Sequence, residues 1–187
     1  MGTNGRGAGF ERAPVALDIE RNIGRNHTMI IGVISDTHLT RPTSELEELN
    51  RTVFSGADLI LHAGDLVEVD VLEAFTGQEV VAVHGNMDSI EAKHTLPKIR
   101  VIELEGRRIG LTHGWGAPGG MESRVKTLFD HVDIIVFGHT HQPCNRVEDG
   151  ILFFNPGAFA GRFYGIGKRT VGLLTLDETI EGEHIVV

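Results

Sequence analysis

Short apolar runs, each ending in polar residues, dominate the pattern of this chain. Met29–Ile34 is a continuous apolar run, as expected for a strand buried on both faces. Similar runs follow, and each leads into Asp, Asn or His residues: Asp58–His62, Val80–His84, Arg108–Thr112 and Asp133–Phe137. Open α/β sheets bind ligands in the crevice outside the carboxyl ends of their strands. The pattern therefore predicts one shared site at these strand ends.

The spacing between the runs predicts how the strands are connected. Helical periodicity favours helices over residues 44–55, 69–75 and 122–131, the first with a capping-box start at Ser44-Glu45-Leu46-Glu47. The first half then reads βαβαβ, which implies parallel strands with right-handed crossovers. The second half predicts three hairpins: Val101–Leu104 with Arg108–Thr112, Asn145–Val147 with Ile151–Phe154, and Val171–Leu176 with His184–Val187. We expect an α/β fold, a four-layer α-β-β-α sandwich with two facing mixed β-sheets.

Composition narrows the class of protein. A length of 187 residues suits one domain, which we place at 29–187. The formal charge of −9 disfavours a nucleic-acid polymer as partner but not a small phosphorylated substrate, because a local cationic centre acts at short range. The single cysteine, Cys144, excludes an internal disulfide and a cysteine-rich zinc site, so a reducing cytoplasmic setting is expected. No apolar stretch approaches the roughly 18 residues that span a bilayer, so we expect no membrane partner.

The first 28 residues differ from the rest. They are rich in Gly, Arg and Asn, lack the apolar core of a signal peptide, and stand before a Met29 that directly opens the first strand. We expect residues 1–28 to be a disordered or mis-assigned N-terminal tail whose deletion leaves folding and activity unchanged.

Five motifs at the strand ends carry the candidate chemistry. In chain order they are Asp36-Thr37-His38, Gly64-Asp65, Gly85-Asn86-Met87-Asp88, His113-Gly114 and Gly138-His139-Thr140-His141. As an ordered set they resemble the calcineurin-like metallophosphoesterases over essentially all of residues 29–187. The small size and the later Asn155-Pro156-Gly157 resemble the compact bacterial and archaeal phosphodiesterase branch, which is also similar to the catalytically silent small subunit of the retromer complex.

The resemblance implies a site with two divalent metal ions. Asp36, His38 and His141 would hold one ion, Asn86, His113 and His139 the other, and Asp65 would bridge them. The members of each Asp-x-His or His-x-His pair are two residues apart, so extended backbone would project them to the same side. Imidazole and carboxylate ligands favour manganese, the ion we expect first, or iron, zinc or nickel over calcium.

The implied reaction is two-metal hydrolysis of a phosphoester. Two ions roughly 3.5–4 Å apart share a water and lower its pKa, and the resulting hydroxide attacks phosphorus in line with the leaving oxygen. Asn86, Asp88 and His113 are the candidate catalytic residues, with Asp88 expected to orient the site through hydrogen bonds; its alternative is a capping role in the loop.

Two positions depart from the wider superfamily. Met87 stands where many larger members have a His assigned to protonating the leaving group, which favours diesters with good leaving groups. Trp115 stands where relatives often have a second His, and it either lines a substrate pocket or fills a hydrophobic gap. His84 lies two residues before Asn86 and is a candidate substitute for the missing acid, although a core or orienting role is favoured for it and for His62.

Other residues carry weaker signals. We interpret Cys144 as an inert, half-buried thiol rather than a nucleophile. Arg162 follows the Asn-Pro-Gly turn and either contacts phosphate or belongs to a solvated loop, the latter being favoured.

Three functions remain open on the sequence. A phosphodiesterase acting on small phosphodiesters is favoured, because none of the seven ligand positions is substituted and a non-catalytic scaffold is free to lose ligands. A phosphomonoesterase on the same site and a protein-interaction scaffold of the retromer-subunit type are the alternatives. The resemblance also implies a homo-oligomer, since relatives commonly assemble as dimers or larger.

Overall fold

Two β-sheets lie face to face in the computed structural model, which describes residues 17–21, 28–161 and 168–187. The strands of the described residues are β1 (Leu17–Arg21), β2 (Met29–Ile34), β3 (Leu59–His62), β4 (Val80–Ala82), β5 (Ile99–Leu104), β6 (Arg107–Thr112), β7 (Ile134–Val136), β8 (Cys144–Glu148), β9 (Ile151–Asn155), β10 (Thr170–Leu176) and β11 (Ile180–Val186). The α-helices are α1 (Ser44–Thr52), α2 (Ile90–Thr95) and α3 (Met121–Lys126), and Val69–Phe75 forms a 3₁₀ helix.

Both sheets are mixed. The five-stranded sheet has the order β11-β10-β2-β3-β4, in which β2, β3 and β4 are parallel and the other pairs antiparallel. The six-stranded sheet has the order β1-β5-β6-β7-β9-β8, with β6, β7 and β9 parallel. The predicted pair of mixed sheets is confirmed, and both sheets point the carboxyl ends of their central parallel strands at the ligand motifs.

Three apolar clusters define four layers. The largest fills the space between the sheets with side chains from both, among them Val33 and Leu174 from one and Ile109 and Val136 from the other. A second cluster packs α1 and the 3₁₀ helix against the outer face of the five-stranded sheet. A third packs α3 against the outer face of the six-stranded sheet. The predicted α-β-β-α sandwich is confirmed, with buried apolar area as its main stabilising term.

The boundaries differ from the predictions where local chemistry decides them. The N-cap of α1 is Thr43, whose hydroxyl accepts a hydrogen bond from Leu46 N, so the helix starts one residue before the expected capping box. The helix predicted over 122–131 ends at Lys126, although Leu128 and Phe129 remain buried as expected. The short helix α2 was not predicted.

The N-terminal segment is only partly as expected. Leu17–Arg21 forms β1, which pairs in parallel with β5 at the edge of the six-stranded sheet. These five residues therefore form a strand, in which Leu17 and Ile19 alternate with polar residues, and the expectation of a dispensable N-terminal tail stays a prediction. The rest of that expectation, at 1–16 and 22–27, lies outside the described residues. Within the described part of the chain, no helix is both long and apolar enough to cross a bilayer.

One aromatic ring packs closely between the two sheets, against glycines of the facing strands. Phe154 of β9 is fully buried and reaches across to β10 and β11, where its ring stacks on His184 with centroids 5.0 Å apart. A Cβ built on Gly172 would overlap the Phe154 ring, and one on Gly182 would lie 2.7 Å from it. Glycine is required in β10 because a side chain would push the sheets apart.

We expect Gly172→Ala to lower the free energy of unfolding by about 1–3 kcal/mol through overpacking. Urea denaturation followed by circular dichroism measures it. Gly56→Ala is the matched control, because a Cβ there meets nothing within 4 Å. Equal unfolding midpoints for the two variants would contradict the packing described.

Candidate metal centre

The ligand residues lie at the ends of strands from both sheets. Asp36, Asp65 and Asn86 follow β2, β3 and β4 of the five-stranded sheet. His113 and His139 follow β6 and β7 of the six-stranded sheet. The candidate site therefore spans the seam between the sheets, and a backbone N–H of one half reaches the other: His139 N donates to Asp36 Oδ2 at 3.2 Å.

Asp36, His38 and His141 form one group of possible ligands. Their ligand atoms all lie within 4.8 Å of one another. His141 Nε2 is 3.1 Å from Asp36 Oδ1 and 3.4 Å from His38 Nε2. The structure thus brings together all three residues that the resemblance implies for the first ion.

Asp36, Asp65 and His113 form the second group, and all three are buried. His113 Nε2 is 3.2 Å from Asp65 Oδ2. His113 Nδ1 donates to the Ala63 carbonyl oxygen at 2.7 Å, which leaves Nε2 as the atom that faces the site. Asp36 is common to both groups, whereas the resemblance implies Asp65 as the bridge.

Asn86 and His139 lie together at the exposed side of the site. His139 Nε2 donates to the Gly116 carbonyl oxygen at 2.8 Å, so in the neutral ring Nδ1 carries the lone pair. That Nδ1 faces Asn86 Oδ1 at 2.9 Å. Two lone-pair atoms facing each other at this distance suit a shared cation.

The backbone at the ligands is left-handed rather than extended. Asp36, His38, Asp65, His139 and His141 have φ values of 54°, 51°, 55°, 69° and 55°. The expectation that alternation along extended backbone aligns each pair was therefore wrong. Non-glycine residues in this region are uncommon and cluster at functional sites, where surrounding contacts hold them.

Asp88 supplies such contacts. It is buried, and its carboxylate accepts hydrogen bonds from three backbone N–H groups: Gly85 at 2.6 Å, Val67 at 2.6 Å and Asp65 at 3.2 Å. Val67 is β-branched with φ of 79°, so its conformation needs this support. Asp88 is thus a positioning residue that joins the two loops carrying Asp65 and Asn86, in agreement with the orienting role expected for it.

Ser35 and Asn155 are positioning residues that sequence reasoning missed. The Ser35 hydroxyl lies 2.5 Å from Asp36 Oδ2 and 2.9 Å from the Gly157 carbonyl oxygen, and its single proton serves one of them at a time. Asn155 is fully buried and donates to the Gly138 carbonyl oxygen at 2.8 Å. A polar residue at the end of each apolar run was the available signal, but it does not reveal which residue it contacts: Gly157 lies 122 positions from Ser35, and Gly138 lies 17 positions from Asn155.

Glycines let the ligand loops approach each other. A Cβ on Gly138 would lie 2.9 Å from Asp36 Oδ2, and one on Gly85 would overlap Asp65 Oδ1. The glycine in the Gly-His and Gly-Asn motifs is therefore a packing requirement of the site.

The donor set fits divalent metal ions. Asp36 Oδ1 and His113 Nε2 are buried, and among the described residues neither finds a hydrogen-bond partner of good geometry, although each has a ligand-type atom within 3.1–3.2 Å. Metal–ligand bonds of about 2.1 Å place neighbouring ligands of one ion about 3 Å apart. Buried polar atoms without a hydrogen bond are costly, so their presence at this spacing favours ligation.

Protonation of the site imidazoles is set by two opposing effects. Burial by itself lowers the pKa of His113, but the adjacent Asp65 carboxylate and that of Asp36 raise it to about 9. Burial would raise the pKa of Asp65, whereas His113 and the Met87 N–H, which donates to Asp65 Oδ1 at 2.7 Å, hold it below its ordinary value. For His38, burial outweighs the nearby carboxylates and lowers the pKa.

His62 contacts the two loops that carry Asp36 and Asp65. Its Nδ1 accepts from Gly64 N at 3.2 Å, so Nε2 carries the proton and meets Thr37 Oγ1 at 3.2 Å. Complete burial lowers its pKa to about 4, so the ring stays neutral. This is the orienting role favoured for His62.

The remaining candidates are placed as follows. His84 and Trp115 line a cavity of about 210 Å³ together with Asn86 and His113. The Met87 side chain is 50% exposed, and only its backbone contacts Asp65. Burial, with the nearby Glu122 carboxylate, raises the pKa of the Cys144 thiol to about 11, consistent with an inert thiol. The expectation for Arg162 lies outside the described residues.

Comparison with known proteins places this geometry in a family. A model of the calcineurin-like phosphoesterase superfamily domain matches residues 29–179. The chain belongs to the calcineurin-like phosphoesterase superfamily. A probable metallophosphoesterase of Methanothermobacter thermautotrophicus is 41% identical over 133 residues, which cover 70% of this chain and 77% of that protein. The resemblance seen in the motifs is confirmed.

Two solved structures share the fold of this chain. A novel archaeal phosphodiesterase superposes with a TM-score of 0.67 at 26% identity, covering 85% of this chain and all (100%) of the other. Zinc-bound Vps29 of Entamoeba histolytica superposes with a TM-score of 0.59 at 26% identity, covering 84% and 99%. The same architecture thus occurs in a phosphodiesterase and in a vacuolar protein sorting protein.

We expect metal binding to release a proton from this phosphoesterase at neutral pH. Because the pKa of His113 is about 9 without metal, its ring is protonated at pH 7, and a ligand ring must be neutral. The apparent affinity for Mn²⁺ should rise up to about tenfold per pH unit below pH 9 and level off above it. Calorimetric titration of chelator-treated protein, in buffers of different ionisation enthalpy between pH 6.5 and 8.5, measures the protons released. An affinity independent of pH would contradict the arrangement of His113 and Asp65.

Proposed function

We propose that this chain is a metal-dependent phosphodiesterase that holds two divalent ions, manganese first among them, and hydrolyses small phosphodiesters. The observation that carries the proposal is the convergence of Asp36, Asp65 and His113 with the group formed by His38 and His141. Two buried carboxylates, Asp36 and Asp65, that lie within ligand distance of each other are costly unless positive charge lies between them. The archaeal phosphodiesterase with the same fold supports the choice of a diester.

Two bound ions would supply the chemistry of other two-metal sites, namely charge neutralisation at the phosphoryl oxygens and a water of lowered pKa as nucleophile. Asp36, His38 and His141 would hold one ion, and Asn86, His113 and His139 the other. Asp36 belongs to both groups of ligand atoms, and Asp65 would add a further carboxylate ligand to the site. The Ala63 and Gly116 carbonyls fix the ring orientation of His113 and His139, which keeps the ligand nitrogens directed at the site.

The leaving group decides between substrate classes. Met87 offers no proton, so a leaving alcohol of low pKa departs most easily. This favours activated diesters, with monoesters as the second candidate on the same site. We place the reaction in the cytoplasm, consistent with a single, unreactive cysteine.

We expect chelator-treated protein to be inactive and Mn²⁺ to restore hydrolysis of bis(4-nitrophenyl) phosphate, with slower hydrolysis of 4-nitrophenyl phosphate. Asp65→Asn should lower kcat/KM by at least about 100-fold, because it removes a buried ligand charge. Nitrophenolate absorbance measures both substrates. Asp149→Asn, an exposed carboxylate paired with Lys126, is the control.

The outcomes separate the three functions. Faster hydrolysis of the monoester would identify a phosphomonoesterase. Protein that binds Mn²⁺ but hydrolyses neither ester would refute catalysis and favour the interaction scaffold.

His84 is a candidate donor of the proton that Met87 cannot supply to poor leaving groups, although a core or orienting role is favoured for it. It lines the same cavity as Asn86 and His113. His84→Ala should lower kcat for phenyl 4-methoxyphenyl phosphate by about 100-fold and leave bis(4-nitrophenyl) phosphate nearly unaffected. His94→Ala, an exposed neighbour in α2, is the control. An unchanged ratio of the two rates would end this assignment.

A further inference from the structure

A small cavity adjoins the candidate metal centre on the side of Asn86 and His113. Its volume is about 210 Å³. Besides the two ligand residues and His84, its lining comprises Gly85, Lys93, Lys98, Thr112, Gly114 and Trp115. Among these described residues none is Asp or Glu, which is notable in a chain of formal charge −9.

Two lysines from different segments supply positive charge to this cavity. Lys93 lies in the last turn of α2, and its Nζ donates to the Asn86 carbonyl oxygen at 2.8 Å. Lys98 follows α2 just before β5, and its Nζ lies 5.8 Å from the centroid of the Trp115 ring. One ammonium therefore borders the metal centre, and the other lies over the aromatic wall.

The fold holds both lysines in place. The Ser89 hydroxyl caps α2 by accepting from Ala92 N at 3.1 Å, which fixes the start of the helix that carries Lys93. The Thr112 hydroxyl donates to the Lys98 carbonyl oxygen at 3.4 Å. The backbone that carries the two lysines is thus held in place. This lowers the conformational entropy that is lost when an anion binds.

We propose that this cavity binds a second anionic group of the substrate, carried on the leaving alcohol beside the scissile phosphate. The inference rests on the proposed function for the position of that phosphate. Lys93 and Lys98 would pair with the anion, and Trp115 would pack against the scaffold that carries it. The substrate class is accordingly a phosphodiester whose alcohol bears a carboxylate or phosphate.

The test compares two diesters that differ only in a carboxylate on each aryl ring. Bis(4-nitrophenyl) phosphate and bis(3-carboxy-4-nitrophenyl) phosphate both release a coloured nitrophenolate. The wild type should show a kcat/KM about tenfold higher for the carboxylated diester, the gain expected from two partly exposed ion pairs. In the Lys93→Met/Lys98→Met double variant this preference should vanish, whereas Lys126→Met should retain it and Lys98→Arg should retain most of it.

A second readout does not depend on hydrolysis. Trp115 is the only tryptophan of the chain, so its fluorescence reports on the cavity. Titration of metal-free protein with 5-hydroxy-2-nitrobenzoate and with 4-nitrophenol, corrected for absorbance, should give an about tenfold lower Kd for the carboxylated compound, lost in the double variant. If the two Kd values are equal, or if the double variant keeps the preference, the subsite is refuted. If the preference is present but neither diester is hydrolysed, the proposed function fails while the subsite stands.

Discussion

Two carboxylates buried at the seam between the sheets are the constraint on which the rest of the structure depends. Asp36 is fully buried and Asp65 nearly so. Moving a carboxylate out of water costs several kcal/mol even after relaxation, unless opposite charge and hydrogen bonds compensate. The surroundings of both residues supply this compensation: the imidazoles of His38, His113 and His141, backbone N–H groups and the Ser35 hydroxyl. Divalent ions would complete it.

The same constraint explains why the ligand loops have an unfavourable backbone. Left-handed φ values at five ligand residues cost stability, which the apolar layers on both sides supply. Asp88 and Asn155 then tie the loops to one another through buried hydrogen bonds. These hydrogen bonds hold the ligand loops against one another without an ion or substrate, as a preorganised site requires.

Continuous apolar runs made the strands and their layers predictable. Met29–Ile34 and Thr170–Leu176 have no competing helical pattern, and the motifs at the strand ends point to a shared site by topology alone. Helix α2 was unpredictable because it is short and its apolar Ile90 is 77% exposed, so no amphipathic period marks it.

The sequence also does not predict which side chains contact each other across the seam between the sheets. The contacts of Ser35 with Gly157, and of Asp88 with Val67, join segments whose proximity follows only from the complete fold. The backbone conformation at Asp36 and His38 likewise depends on those contacts rather than on local propensity. The cavity beside Asn86 is a further case, since Lys93 and Lys98 resemble ordinary surface lysines until α2 and β5 are placed.

The most direct measurement for this account is an anomalous difference map from crystals of the protein grown with Mn²⁺, recorded on the high-energy side of the manganese absorption edge. The account predicts two peaks at the seam, one contacted by Asp36, His38 and His141 and the other by Asn86, His113 and His139. A map with no peak at the seam, or with manganese bound only elsewhere on the chain, would contradict it.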